Sequence, residues 1–291
     1  MKHALILIVF LILSFVSPLS LTATELPERK FFELRKVEVL SIQDSQHNRQ
    51  YELYVKLPDN YDANSDKKHP VIYFTDAVWH VEILSSATEF LLTDTILVGI
   101  SWQKDIAEQL KADAGEWASR HRDYSIRQSD DPKIQAKYNP GQAADHLRFI
   151  REDVFKYVEN HYSVSPSERT YFGYSAGGLF GAYVLQTHPA TFKNYILGSP
   201  SLKRNLSVLS KLESTKDATR KGPKINVFLS YGTEEKELST LIETFSALLK
   251  EDDAKNAAVT LREIQGDHGT AFPMTAVGSI TWLSDLSKKL D

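Results

Sequence analysis

Residues 169–178 read Arg-Thr-Tyr-Phe-Gly-Tyr-Ser-Ala-Gly-Gly, so Ser175 stands between glycines two positions before and two after it, Gly173 and Gly177. This G-x-S-x-G spacing suits a chain that leaves a strand and enters a helix within one residue. Such a turn forces its apex into strained backbone angles, and the neighbours must be small. It pushes the Ser175 hydroxyl into the open at a helix start, where unpaired N–H groups and the positive end of the dipole favour a developing oxyanion. Serine is a poor nucleophile until such a setting activates it. The pattern alone arises by chance in roughly one chain of this length in ten, so the flanks decide. Residues 169–172 follow a Ser-Pro-Ser-Glu turn as a short strand, and Leu179, Ala182, Tyr183 and Leu185 continue as an apolar, buried helix.

Ser175 needs a base, and of the nine histidines His268 fits best. It lies in Gly266-Asp-His-Gly-Thr270, a loop after the last predicted strand, with small neighbours that let it bring an imidazole over the serine. An acid that fixes the imidazole tautomer belongs in the loop after the preceding strand, Gly232-Thr-Glu-Glu235. Adjacent side chains diverge, so only one of Glu234 and Glu235 faces His268, and Glu235 is favoured; Asp267, next to the histidine, is a weaker choice. The order serine, acid, histidine is that of α/β-hydrolases. One oxyanion donor is the N–H of Ala176, and a second comes from the early loop Thr75-Asp-Ala-Val78, where side-chain identity does not choose between Ala77 and Val78. Arg120-His-Arg-Asp-Tyr124 concentrates charge and an aromatic ring in a long loop placed to cover the pocket. Arg120, Arg122 and Tyr174 are the candidate substrate contacts.

The elements that must position these groups are legible from periodicity. Residues 32–42 and 50–57 alternate apolar and polar, with Tyr51, Leu53, Val55 and Leu57 on one face and a turn at 44–48, which predicts an antiparallel hairpin. Continuous apolar runs at 70–74 and 95–100 predict doubly buried parallel strands. Leu147, Ile150, Val154 and Val158 repeat at helical spacing; residues 225–231 and 259–264 read as strands, with an amphipathic helix through Leu238, Ile242, Phe245 and Leu249 between them. Val277, Ile280, Leu283 and Leu286 predict a closing helix. The fold class is therefore α/β, a mostly parallel central sheet with helices on both faces and an N-terminal antiparallel hairpin.

With 291 residues and 42% hydrophobic content, the chain suits one large domain over residues 24–291. A net charge of -4 gives no reason to expect nucleic acid as a partner. The absence of cysteine excludes disulfides, thiolate zinc sites and a cysteine nucleophile, and no metal-binding motif calls for a cofactor. Residues 1–3 form a short basic start, 4–16 an apolar run and 17–23 a small, polar stretch, the layout of a secretory signal peptide over residues 1–23. Cleavage is placed after Ala23, although Leu21 is larger than usual at the third position before a cut, and the location is exported and periplasmic. Left uncleaved, residues 4–23 approach the roughly 20 residues a spanning helix needs, and only then is a membrane a partner. The charged stretches 216–224 and 251–253 read as solvated.

Several pieces in order carry a resemblance: Pro70-Val-Ile-Tyr-Phe-Thr-Asp76, Arg122-Asp123, Gly173-Tyr-Ser-Ala-Gly-Gly-Leu-Phe180, Phe192 with Gly198-Ser-Pro-Ser201, Gly232-Thr-Glu-Glu235 and Asp267-His-Gly269. From about Pro70 onward the chain resembles the putative esterase family of the α/β-hydrolase superfamily, which holds esterase D, feruloyl esterases, trilactone siderophore esterases and mycolyltransferases. Arg122-Asp123 and the Ser-Pro-Ser segment look most like its exported, siderophore-esterase branch. The resemblance implies an α/β-hydrolase fold, Ser175 as nucleophile, His268 as base, Glu235 as acid, and the N–H groups of Ala176 and Val78 as oxyanion donors. This chain has Ala77 where many relatives carry Asp-Gly, which bears on the oxyanion turn. The implied activity is hydrolysis of small-molecule carboxylic esters through an acyl-enzyme, with acyl transfer or ligand binding without turnover as alternatives.

Overall fold

Alternation in the N-terminal segment yields a hairpin in the computed structural model, which describes residues 37–212, 224–252 and 256–288. Strand β1 (Val37–Gln43) pairs antiparallel with β2 (Gln50–Lys56), Val37 opposite Lys56 and Gln43 opposite Gln50. Tyr51, Leu53 and Val55 point inward and are buried, whereas β1, an edge strand, is mostly open. Asp44 builds the turn: its carboxylate accepts from Gln46 N at 3.1 Å, His47 Nδ1 at 2.9 Å and Arg148 Nη2 at 2.7 Å. The expected strand residues 32–36, the signal-peptide residues 1–23, most of the basic stretch (216–223) and Asp253 lie outside the described residues.

Six further strands follow: β3 (His69–Thr75), β4 (Ile96–Ile100), β5 (Val164–Tyr174), β6 (Asn194–Gly198), β7 (Ile225–Gly232) and β8 (Ala257–Ile264). They form one eight-stranded sheet ordered β1-β2-β4-β3-β5-β6-β7-β8, parallel from β4 to β8 and antiparallel where β2 meets β4. The helices are α1 (Ala77–Leu91), α2 (Glu108–Ala114), α3 (Arg120–Asp123), α4 (Pro132–Tyr138), α5 (Ala143–Phe149), α6 (Phe155–His161), α7 (Ala176–Thr187), α8 (Leu206–Leu209), α9 (Lys236–Glu251) and α10 (Phe272–Ser287). A π-helical turn, Ile150–Val154, joins α5 to α6, so Leu147, Ile150, Val154 and Val158 still share one buried face.

The two-residue period of each strand divides the core between the faces of the sheet. Val71, Tyr73, Tyr171, Tyr195, Leu197, Val227 and Leu229 pack toward α5, α6, α7 and α9. Ile72, Phe74, Phe172, Ile196 and Phe228 pack toward α1 and α10 through Val81, Leu84, Ala276 and Ile280. Helices thus cover both faces, as an α/β-hydrolase fold requires.

Several features depart from the pattern read in the sequence, the first being the early loop at 75–78, whose Ala77 and Val78 form the first turn of α1 because the chain turns at Asp76 directly into the helix. Strand β6 was not foreseen, because its five residues, Asn-Tyr-Ile-Leu-Gly, offer a short apolar centre; it is held by β5 and β7 on either side. The Ser-Pro-Ser-Glu turn lies inside β5 as a bulge, with His69 opposite Val164 and Val71 already opposite Arg169. The segment placed in a long loop at 120–124 contains the helical turn α3, with Asp123 and Tyr124 buried.

Candidate active site

Parallel pairing of Phe74 with Phe172 makes β3 and β5 leave the sheet side by side at their C-terminal ends. Each then turns at once into a helix through a non-glycine residue of positive φ: Asp76 (φ 56°, ψ 45°) before α1 and Ser175 (φ 55°, ψ -114°) before α7. Strain of this kind costs on the order of 1–3 kcal/mol per residue and persists where surroundings over-determine it. At Ser175 the N–H donates to Gly198 O at 2.9 Å, and the carbonyl accepts from Leu179 N and Ser201 N, both at 3.0 Å. The flanking glycines are required by close approach. A Cβ on Gly173 would lie 2.4 Å from Gly177 O, and one on Gly177 would lie 2.3 Å from Thr75 Oγ1.

Strands β7 and β8 bring their trailing loops together over this turn. His268 Nδ1 lies 2.5 Å from Glu235 Oε1, and the other Glu235 oxygen accepts from Gly232 N and Ser199 Oγ, both at 2.7 Å. Burial by itself raises the Glu235 pKa, but the hydrogen bonds from His268, Gly232 and Ser199 outweigh it and hold the carboxyl below its usual value. An ionised Glu235 fixes the proton of His268 on Nδ1, which leaves Nε2 with the lone pair a base needs. Glu234 is exposed. Asp267 closes its own loop, accepting from Gly269 N, Thr270 N and Thr270 Oγ1 at 2.7–2.9 Å. Tyr174 lies under the histidine loop: its hydroxyl donates to His268 O at 2.7 Å and its ring centre is 5.3 Å from the imidazole. Burial pushes its pKa up to about 12, so it stays a donor. Its role in the structure is to seat the histidine loop.

The side-chain hydrogen-bond partner of Ser175 is Ser201, Oγ to Oγ at 3.3 Å. Ser175 and His268 are not themselves hydrogen-bonded, a looseness common before substrate closes a site. Backbone donors at two helix starts have no acceptor among the described residues: Ala176 N, which follows the serine at the start of α7, and Ala77 N and Val78 N in the first turn of α1, whose Trp79 N and His80 N donate to Asp76 O at 2.9 and 3.2 Å.

Arg120 and Arg122 are both engaged with carboxylates. Arg122 donates to Asp123 through Nε at 2.7 Å and Nη2 at 3.2 Å and to Tyr51 OH at 3.1 Å, a strut between α3 and β2. Arg120 is paired with buried Asp76, Nε to Oδ1 at 2.6 Å and Nη2 to Oδ2 at 3.1 Å. Ser199 and Ser201 were not singled out in the sequence beyond their place in Gly-Ser-Pro-Ser. Their position after β6, a strand with little sequence signal, hid that Ser199 braces Glu235 and Ser201 touches Ser175.

A family model described as Esterase, putative esterase, matches residues 45–273. The chain belongs to this family. As an esterase it is a carboxylic ester hydrolase, and the matched span takes in every residue of the constellation above. It is 28% identical over 221 residues, 69% of this chain and 71% of the relative, to ferri-bacillibactin esterase BesA of Bacillus subtilis. Its fold is that of siderophore hydrolase EstB from Aspergillus nidulans (TM-score 0.71, 20% identity, 89% of this chain and 98% of that one). It also matches an IroE-like serine hydrolase from Shewanella oneidensis (TM-score 0.70, 18% identity, 86% and 80%).

Proposed function

We propose that the esterase is an exported serine hydrolase that cleaves a siderophore-type or small acyl ester through an acyl-enzyme. One observation carries the mechanism: His268, oriented by Glu235 at 2.5 Å, stands on the loop that Tyr174 ties to the elbow bearing Ser175. Ser175 Oγ attacks the ester carbonyl carbon while His268 takes its proton. The carbonyl oxygen, now an oxyanion, is held by the N–H groups of Ala176 and Val78. Collapse expels the alcohol with the proton from His268 and leaves an ester on Ser175; water, activated by the same imidazole, then releases the acid.

The siderophore reading is supported by the printed activities of relatives, an esterase of ferri-bacillibactin and a siderophore hydrolase. Export is supported by the basic, apolar and small-residue layout of residues 1–23, with cleavage after Ala23. Among the described residues no helix is long and apolar enough to cross a membrane. The test is hydrolysis of p-nitrophenyl butyrate and of a catecholate trilactone by the purified chain beside Ser175→Ala. Turnover of both esters, with the variant reduced by about 10⁴-fold or more, is expected. A variant that keeps its rate removes Ser175 from the mechanism, and turnover of the nitrophenyl ester alone removes the siderophore as substrate.

A further inference from the structure

An aspartate in front of a helix ordinarily sits in extended backbone and turns its carboxylate onto the N–H two or three residues ahead, as a cap. Asp131 does this before α4, accepting from Lys133 N at 2.8 Å with φ of -86°. Asp76 does not. Its backbone is left-handed and its carboxylate makes no cap. The group is fully buried, and its oxygens are taken instead by Trp102 Nε1 at 2.6 Å and by Arg120.

The same two side chains also hold the far end of the donor segment. The Arg120 guanidinium lies 4.8 Å from the centre of the Trp79 ring, and Trp102 meets Trp79 edge-on at 4.7 Å. Ala77 and Val78 are therefore bracketed, with Asp76 gripped before them and Trp79 after them. Arg120 is itself fixed because α3 is tied down next door by Arg122, Asp123 and Tyr51. A carboxylate free to cap would occupy the Val78 N–H and would set a negative charge where the oxyanion forms.

We infer that Arg120, assisted by Trp102, is a positioning residue for ester hydrolysis: it holds the Asp76 carboxylate off the helix start and so keeps the Val78 N–H open for the oxyanion. This rests on the serine-esterase reading above. The requirement is for a flat, two-sided cation, since an ammonium can neutralise Asp76 but cannot also lie against Trp79.

The experiment compares wild type with Arg120→Ala, Arg120→Lys, Trp79→Leu and Arg120→Ala/Asp76→Gly. It measures kcat and KM for p-nitrophenyl butyrate, and Ki for an aliphatic trifluoromethyl ketone, whose serine adduct carries an oxyanion. Arg120→Ala is expected to lower kcat about 10²-fold with KM within about twofold, and to raise Ki in proportion. Arg120→Lys recovers part of this loss. Because glycine accepts the left-handed backbone and has no carboxylate, adding Asp76→Gly restores about tenfold of the lost kcat. Trp79 is half-exposed, so Trp79→Leu folds and reads the far bracket independently: a loss in kcat supports the clamp, and a rise in KM alone makes Trp79 a substrate contact and overturns it. An unchanged kcat in folded Arg120→Ala or Arg120→Lys also overturns it, as does a kcat loss with no change in Ki. If wild type neither turns over nor binds the ketone, the esterase mechanism falls first and the clamp with it.

Discussion

Glu235 and Asp76 are two buried carboxylates that each stand directly before a helix, and neither caps it. Glu235 turns to a histidine, a hydroxyl and one backbone N–H; Asp76 turns to an indole and a guanidinium. In the proposed mechanism the first orients the base of the proton relay, where a group changes protonation in each cycle. In the inferred clamp the second sets backbone donors that must not move, and its partners, an indole and a guanidinium, keep one charge state. A carboxylate at a helix start is a common device. What differs here is which neighbours draw it away from the helix, and that choice decides whether it serves chemistry or geometry.

The contrast can be broken most forcefully at Glu235. Glu235→Gln keeps the shape and allows the wrong tautomer of His268, so kcat on p-nitrophenyl butyrate should fall by about 10³-fold. A loss below tenfold would mean that Ser175 and His268 work as a dyad and that the 2.5 Å contact is structural. The same substitution sharpens the contrast through stability. The folded-state pKa of Glu235 is depressed, so its contribution is fully present above the ordinary glutamate range and is lost as pH falls through the lowered value. Melting temperature across pH 3 to 7 should therefore slope less in Glu235→Gln than in wild type, and parallel slopes would contradict the ionised state assigned to it. The smallest effect is expected at Ser199→Ala. This removes one of three hydrogen bonds on Glu235 while Gly232 N still holds the same oxygen, and a fall in kcat of about tenfold or less follows. A larger fall would place Ser199 among the reacting groups.

Much of this candidate site is legible in the sequence. The elbow at 173–177, the loop at 266–270 and the pair at 234–235 carry short-range signals, because small residues and chain order constrain where a loop can put a side chain. Divergence of adjacent side chains says that only one of Glu234 and Glu235 can face the ring and leaves open which; the contact of Glu235 with His268 decides it, while Asp267, as a sequence neighbour, reaches the far ring nitrogen poorly. Arg120 and Arg122 were less legible for a physical reason: a charged cluster looks alike whether it meets solvent, a substrate or buried carboxylates. Only packing showed that Asp76 and Asp123 occupy them. Strand β6 and the serines after it were hidden because a five-residue strand with polar ends owes its form to the strands beside it and not to its own pattern.

The central claim is that Ser175 carries the acyl group. Its most direct test is to treat the protein with diisopropyl fluorophosphate, weigh the intact chain and map the modified peptide, with Ser175→Ala alongside. A single phosphoryl adduct on the peptide containing Ser175, lost in the variant together with ester hydrolysis, is predicted. An adduct on Ser201, whose hydroxyl lies 3.3 Å away, or hydrolysis that survives in the variant, would contradict it.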